Sequence, residues 1–365
     1  MSASSHLPLD PSQGSVSLTR QLCDISSVSG DEGRIADAVE ALLRAQAPHL
    51  TVLRDGDTII ARTTLGRAQS VAIAGHLDTV PINENLPTWE APDPATGEPM
   101  LWGRGTVDMK AGVAVQLLLA VELTEPEVDL VWVWYDHEEV ASDLSGLGRV
   151  MRAHPELFDV DFAILGEPSN GTIEGGCNGT LRARATFHGT RAHSARSWMG
   201  VNAIHRAGAL LEKLSAYEAE RIVVDGLEYR EGLNAVGIEG GIAGNVIPDR
   251  CTVEVNYRFA PSRSADDASA FVREFLSAAD EVEIVDLAPG ARPGLDAALV
   301  QRFVAAVGQT PTAKFGWTDV SRFAAIGIPA VNFGPGNASL AHADDERVSP
   351  MQIVETEKAL RSWLN

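Results

Sequence analysis

A chain of 365 residues suggests two domains, and its 45% hydrophobic and 22% charged residues give the balance of a soluble globular protein with ample core material. The net charge of −21 repels polyanions and so excludes nucleic acid and anionic membrane surfaces as partners. Three scattered cysteines (Cys23, Cys177, Cys251) exclude a disulfide framework and a thiolate zinc site, so any metal must be held by nitrogen and oxygen. No apolar run approaches the roughly 20 residues of a membrane helix. The opening MSASSHLPLD has neither the basic nor the apolar part of a secretion signal, so a cytoplasmic location is expected.

In chain order, Ser29 and Asp31 precede the amphipathic run 34–43, a helix start, and Pro48 follows its end. The runs VAIAG (71–75), LVWVWY (130–135) and FAILG (162–166) are apolar on both faces, as strands inside a covered, largely parallel sheet are. Residues 109–123 and 146–154 have the period of helices that would cover it. After Cys177 the rhythm changes to strand 181–189, helix 202–217, strands 234–241 and 251–259, helix 264–279 and strand 281–287. That βαββαβ order is ferredoxin-like. The stretch 289–294 reads as a link back, and helices 296–307 and 351–364 flank a strand at 329–334. The expected fold is α/β. Residues 1–178 and 290–365 form a catalytic domain with a mostly parallel central sheet flanked by helices, and 179–289 form an inserted α+β domain.

Five segments place acids and histidines at strand ends or helix starts: GHLDTVP (75–81), GRGTVDMKAG (103–112), DHEEV (136–140), LGEPS (165–169) and the late His342. Open α/β sheets build their sites at the carboxyl ends of strands, and three of these segments directly follow apolar runs. His76 and Asp78 share a face by alternation, so His76 can ligate a metal while Asp78 braces an imidazole or a base. On its own Asp108 reads as a helix N-cap. The glycines around Arg104 instead imply an irregular, closely packed backbone, on which a carboxylate could bridge two cations. Glu138 and Glu139 point different ways, one free to ligate while the other faces substrate, and Glu167 repeats the arrangement after FAILG.

Taken in this order, GHLDTVP and GRGTVDMKAG with the following segments resemble the cocatalytic zinc aminoacylase and carboxypeptidase family of metallopeptidases, over nearly the whole chain. The resemblance implies a zinc-exopeptidase-like catalytic domain with two Zn2+ per subunit, Co2+ or Mn2+ being able to substitute. It puts one ion on His76 and Glu167, the other on Glu139 and His342, and Asp108 between them. Glu138 is implied as general base, with Asp78 beside it. The inserted domain is implied to be a lid and the interface of a homodimer. In that dimer TRAHSAR (190–196) carries His193 to the other subunit's active site, where it stabilises an oxyanion.

GNVIPDR (244–250), NYRF (256–259), GWTDVSRF (316–323) and NFGPGNASLAH (332–342) resemble family segments that hold substrate carboxylates, which implies Asn245, Arg258, Thr318, Arg322 and Asn337 as substrate-binding residues. Read without the resemblance, Arg258 is a strand-end residue in a surface ion pair. The chain departs from the family pattern in three places. His137 stands where an aspartate is usual, Ala111 where glycine is common, and an arginine near 177–178 is missing, with Arg196 and Arg184 as its candidate replacements. The expected substrate is a small dicarboxylate amide, N-succinyl-LL-2,6-diaminopimelate, hydrolysed to succinate and LL-2,6-diaminopimelate for lysine and cell-wall precursor synthesis. YDHEEV and RAHSARSWMGVNAIH look most like the actinobacterial members with that activity. The alternatives are deacetylation of acetylornithine and carboxypeptidase-like cleavage of a dipeptide. A non-catalytic binding module is disfavoured, because every matched position is filled.

Overall fold

Strands apolar on both faces are stable only where helices cover both sides of a sheet. The structure, a computed structural model, describes residues 8–365 and builds such a sheet; most of the opening segment read above for a signal lies outside those residues. The chain divides into two units. One comprises the residues up to Gly175 with Gly294–Thr312 and Arg322–Asn365, the other Gly176–Pro293 with Ala313–Ser321.

An eight-stranded sheet runs in the order Thr51–Asp55, Thr58–Arg62, Asp129–Tyr135, Ser70–His76, Phe162–Leu165, Ala330–Asn332, Glu174–Gly175 and Thr312–Ala313. Four of them, from Asp129–Tyr135 to Ala330–Asn332, run parallel in the middle. Their register sets the site. His76 lies opposite Tyr135, and Leu165 lies opposite both Ala74 and Asn332, so the four carboxyl ends emerge close to one level. The helix Lys110–Glu122 is buried on every side from Lys110 to Ala120, as a helix apolar all round must be. It packs against the strand Ser70–His76 and the helices Gly14–Cys23 and Pro350–Leu364.

Two residues fix the start of that buried helix. Lys110 is wholly buried, and its Nζ donates to the carbonyls of Leu22 (3.2 Å) and Ile25 (2.9 Å), binding the end of the helix Gly14–Cys23. Burial pushes its ammonium down to about 8. Gly112 faces the carbonyl oxygen of Gly166, into which any Cβ would run. The glycine therefore lets the helix press on the loop that carries Glu167. Asp108 is not the N-cap that its position suggests. The helix begins at Lys110 after Met109, with no side-chain cap, and the Asp108 carboxylate is used elsewhere.

The second unit is a four-stranded antiparallel sheet in the order Gly232–Gly240, Arg250–Phe259, Gly179–His188, Glu281–Ala288. Leu181, Ala183, Ala185 and Phe187 alternate inward with Val253, Val255, Tyr257 and Phe259, beneath the helices Ala203–Ser215 and Ala265–Phe275. An additional hairpin, Arg221–Val224 with Leu227–Arg230, interrupts the expected order. Its two-residue loop, Asp225–Gly226, has both φ angles positive, at 47° and 86°. An Asp-Gly loop of this kind is the usual signal of such a hairpin and was readable in VVDGLEY. The helix Gly14–Cys23 and the hairpin of Thr51–Asp55 with Thr58–Arg62 were also outside the sequence reading.

Replacing Gly112 by Ala is expected to destabilise the protein by about 1–3 kcal/mol, the usual result of overpacking a filled interior. Urea denaturation checks this, and an unmoved midpoint would mean that the helix is free to back away from Gly166.

Candidate metal centre

The level strand ends bring six side chains into three groups. His76, Asp108 and Glu167 form one, His76, Glu138 and Glu139 a second, and Asp108, Glu139 and His342 a third; within each, the potential ligand atoms lie within 4.8 Å of one another. Asp108 is the common member of the first and third. Its two oxygens face different imidazoles: Oδ1 is 3.1 Å from His76 Nε2 and Oδ2 is 3.3 Å from His342 Nε2. His342 Nε2 also lies 3.0 Å from the Glu139 carboxylate. One carboxylate with a nitrogen ligand on each oxygen is the donor arrangement that a pair of cations sharing an anion requires. All-N/O sets of this kind suit zinc and its neighbours, not a soft thiophilic ion. The residues therefore fit two divalent ions.

The acids and imidazoles of the cluster shift one another's pKa values. Burial opposes charge on His76, but the Asp108 hydrogen bond and the charges of Glu138, Asp108 and Asp78 keep its pKa well above the ordinary value. The Asp108 and Glu139 hydrogen bonds push His342 up to about 10. Burial works against ionised Asp108 too, yet the hydrogen bonds from His342 and His76 hold it well below the usual carboxylate range.

Around the cluster, buried acids fix backbone in place. The Asp78 carboxylate lies beside the His76 ring, with Oδ1 3.6 Å from Nδ1, and it also holds backbone. His76 Nδ1 is 2.9 Å from the Asp78 main-chain oxygen, while the Asp78 carboxylate accepts from the backbone N–H of Glu138 (3.0 Å) and Glu139 (3.1 Å) and from Ser29 Oγ (2.6 Å). Ser29, expected at a helix start, is thus part of the site, and the helix Gly33–Gln46 has Glu32 at its N-cap position instead. Glu346 accepts from the backbone N–H of Val107 (2.8 Å) and Asp108 (3.1 Å) through Oε1, and from Arg104 (2.9 Å) through Oε2. Arg104 also donates to the carbonyls of Pro81 and Ala343. This buried pair joins the Asp108 turn to the loop that carries His342. The sequence reading missed Glu32 and Glu346. Glu346 sits in ADDERV, which looks like a solvated acidic run, and only its burial beside Arg104 distinguishes it.

The expected substrate residues are divided between the units. Arg322 and Asn337 belong to the first, where Arg322 donates to Ser142 and Asn337 accepts from Ser339 N. His193, Arg196, Asn245, Arg258 and Thr318 belong to the second. There His193 and Asn245 come together, with Ser194 N donating to the Asn245 carbonyl at 2.9 Å. Arg258 donates from Nε to Asn256, and burial pulls its pKa below the ordinary value. At the place of the missing arginine, Cys177 is buried with its thiol toward the Thr318 carbonyl, and Asn178 donates to the Arg230 carbonyl. Arg184, one candidate to replace it, lies against Glu254. Arg196 is exposed.

Comparison with known proteins places these features in context. The profile described as peptidase family M20/M25/M40 matches residues 72–365. A Mycobacterium tuberculosis protein, provisionally named a succinyl-diaminopimelate desuccinylase, is 51% identical over 350 residues, covering 96% of this chain and 97% of its own. The succinyl-diaminopimelate desuccinylase of Corynebacterium glutamicum is 46% identical over 357 residues, with 95% of each chain covered. Among solved structures, a tripeptidase from Staphylococcus aureus aligns with a TM-score of 0.76 at 21% identity, covering 96% of this chain and 97% of its own, and so shares the fold.

Two outcomes follow from the geometry. At neutral pH the metal-free imidazoles of His76 and His342 carry protons, because both pKa values are raised, so loading with Zn2+ should release about two protons per chain and bind more weakly as pH falls. An indicator-dye titration measures the release, and metal uptake without it would refute the protonated state. Glu346→Ala should cost about 3–5 kcal/mol by leaving Arg104 buried and unpaired. Thermal unfolding tests this, and a loss below 1 kcal/mol would show that the pair is not holding the turn.

Proposed function

The chain belongs to peptidase family M20/M25/M40, and we propose from that premise that it hydrolyses N-succinyl-LL-2,6-diaminopimelate to succinate and LL-2,6-diaminopimelate. The observation that carries the reading is near-full-length identity, at 46%, with the C. glutamicum desuccinylase. The metal-dependent character of the family agrees with the cluster of two imidazoles and four carboxylates.

In this reading His76, Glu167 and Asp108 hold one Zn2+, and Glu139, His342 and the same Asp108 hold the other. When bound, such ions polarise an amide carbonyl and make water acidic enough to supply hydroxide at neutral pH. Glu138 takes the proton of the attacking water and delivers it to the departing amine, acting first as base and then as acid. Asp78 keeps Glu138 and Glu139 in place through their backbone N–H groups. Arg258 and Arg322, whose planar forks match a carboxylate, bind the substrate acids together with Asn245, Thr318, Asn337 and Arg196. His193 of a second copy donates to the oxygen on which negative charge develops.

The dimer is supported by the sheet edge of the second unit. There the strand Gly232–Gly240 is unpaired on one side, and its Val236 and Ile238 are exposed, as is Ile204 of the adjoining helix. An uncovered apolar edge is a pairing surface. No helix among the described residues is long and apolar enough to cross a membrane, which agrees with a biosynthetic enzyme acting on a small, charged metabolite.

The test is a hydrolysis assay on the succinylated substrate and on N-acetylornithine, with and without chelator. We expect a preference of about 10²-fold or more for the succinyl substrate, since a site built for a second carboxylate rejects analogues that lack it, and activity abolished by chelation. Equal rates on the two would favour the deacetylase. Glu138→Gln should lose several orders of magnitude in kcat with metal content unchanged, and near-normal turnover would remove Glu138 from its role.

A further inference from the structure

Glu32 belongs to none of the metal-ligand groups, yet it is fully buried within the same network. His137, one residue before the proposed base, has a φ of 58°. That left-handed conformation is uncommon outside glycine, asparagine and aspartate, although histidine tolerates it better than most side chains. Backbone N–H groups in a turn of this kind are free to bind anions. Here the anions are the protein's own. His137 N donates to Glu32 Oε1 at 3.2 Å, Glu138 N to Asp78 Oδ1 at 3.0 Å and Glu139 N to Asp78 Oδ2 at 3.1 Å. Two carboxylates, both with no exposed surface, thus take up three consecutive N–H groups of the loop that carries the base.

Such a pair is costly to bury. Desolvation first, and the neighbouring Asp78 charge second, raise the pKa of Glu32. Buried like charges persist only when hydrogen bonds satisfy them, and this pair is well supplied. Glu32 Oε2 accepts from Gly30 N at 2.9 Å, and Asp78 accepts from Ser29 Oγ. The His137 ring lies 3.4 Å from Glu32 and 2.8 Å from Asp136, which is itself held by Arg149 and Thr58. An apolar pair of similar volume would leave those three N–H groups without acceptors and would not hold the backbone of residues 137–139 at a set position.

We propose that Glu32 is a positioning residue for Glu138: accepting from the backbone N–H of the left-handed His137, it fixes the backbone from which the base projects. The proposal rests on the reading of Glu138 as the base. It assigns no metal contact to Glu32, so it separates loss of base geometry from loss of metal.

The test uses the full chain loaded with Zn2+ and assayed on N-succinyl-LL-2,6-diaminopimelate. Glu32→Ala should lower kcat by about 10²-fold, the scale of an ångström-sized misplacement of a reacting group. KM should stay within about threefold and metal content should match the parent. Glu32→Gln should regain part of the loss, since its amide oxygen can still accept from His137 N while its NH2 cannot accept from Gly30 N. Unchanged kcat per folded molecule would overturn the proposal, as would parallel loss of metal or failure of Gln to rescue. Should Glu32→Ala not fold, His137 supplies the second arm. His137→Val, which resists positive φ, should have at least about tenfold lower kcat than His137→Gly, which adopts it freely, and equal values would also overturn the proposal. Glu138→Gln run in parallel separates the two ideas. An active Glu138→Gln enzyme refutes the base assignment itself, whereas an inactive one beside an unaffected Glu32→Ala enzyme refutes only the positioning.

Discussion

Four parallel strands that end at one level are the constraint on which the rest of the site depends. The ladder that sets His76 against Tyr135, and Leu165 against Ala74 and Asn332, leaves no freedom in where the next residues begin. A slip of one residue would turn every side chain of a strand to the opposite face. The strands are apolar on both sides and covered by helices, so their register is enforced by the whole core. The polar residues that follow inherit that precision. Asp108 comes from a separate turn just before the buried helix, whose Gly112 lies against the Gly166 carbonyl.

Precise placement of so many acids carries an electrostatic cost, and the surrounding backbone offsets it. The carboxylates of Asp78, Glu32 and Glu346 are nearly or fully buried, and each accepts from main-chain N–H groups close to a residue of the cluster. These bonds stabilise the ionised acids and at the same time immobilise the loops from which Glu138, Glu139 and Asp108 project. The same groups thus satisfy buried charge and preorganise the centre, which is the usual requirement for a metal site of defined geometry.

The sequence reading captured the parts of the molecule that follow local rules. Runs apolar on both faces identified the central strands, the change to alternation after Cys177 identified the second sheet, and polar residues after apolar runs identified the centre. Its omissions have physical causes. The helix Gly14–Cys23 carries an ordinary amphipathic pattern with no capping side chain to mark its start. Glu32 and Glu346 look like surface acids, because burial of a charge depends on partners distant in the chain. Asp108 was legible both as a cap and as a shared carboxylate, and the choice rests on His76 and His342, which lie 32 and 234 residues away.

The chain by itself determined the residue types available for chemistry, the α/β class and its central strands, because periodicity and strand-end polarity are properties of short segments. Tertiary structure alone decided that Asp108 faces one imidazole with each oxygen. It also decided that Asp78 grips the backbone of the glutamate pair as well as lying beside the histidine ring, and that Glu32 and Arg104 belong to the centre. Those relations depend on strand register and on the close approach of a glycine to a carbonyl. Both are set by how distant segments pack, which no local pattern encodes.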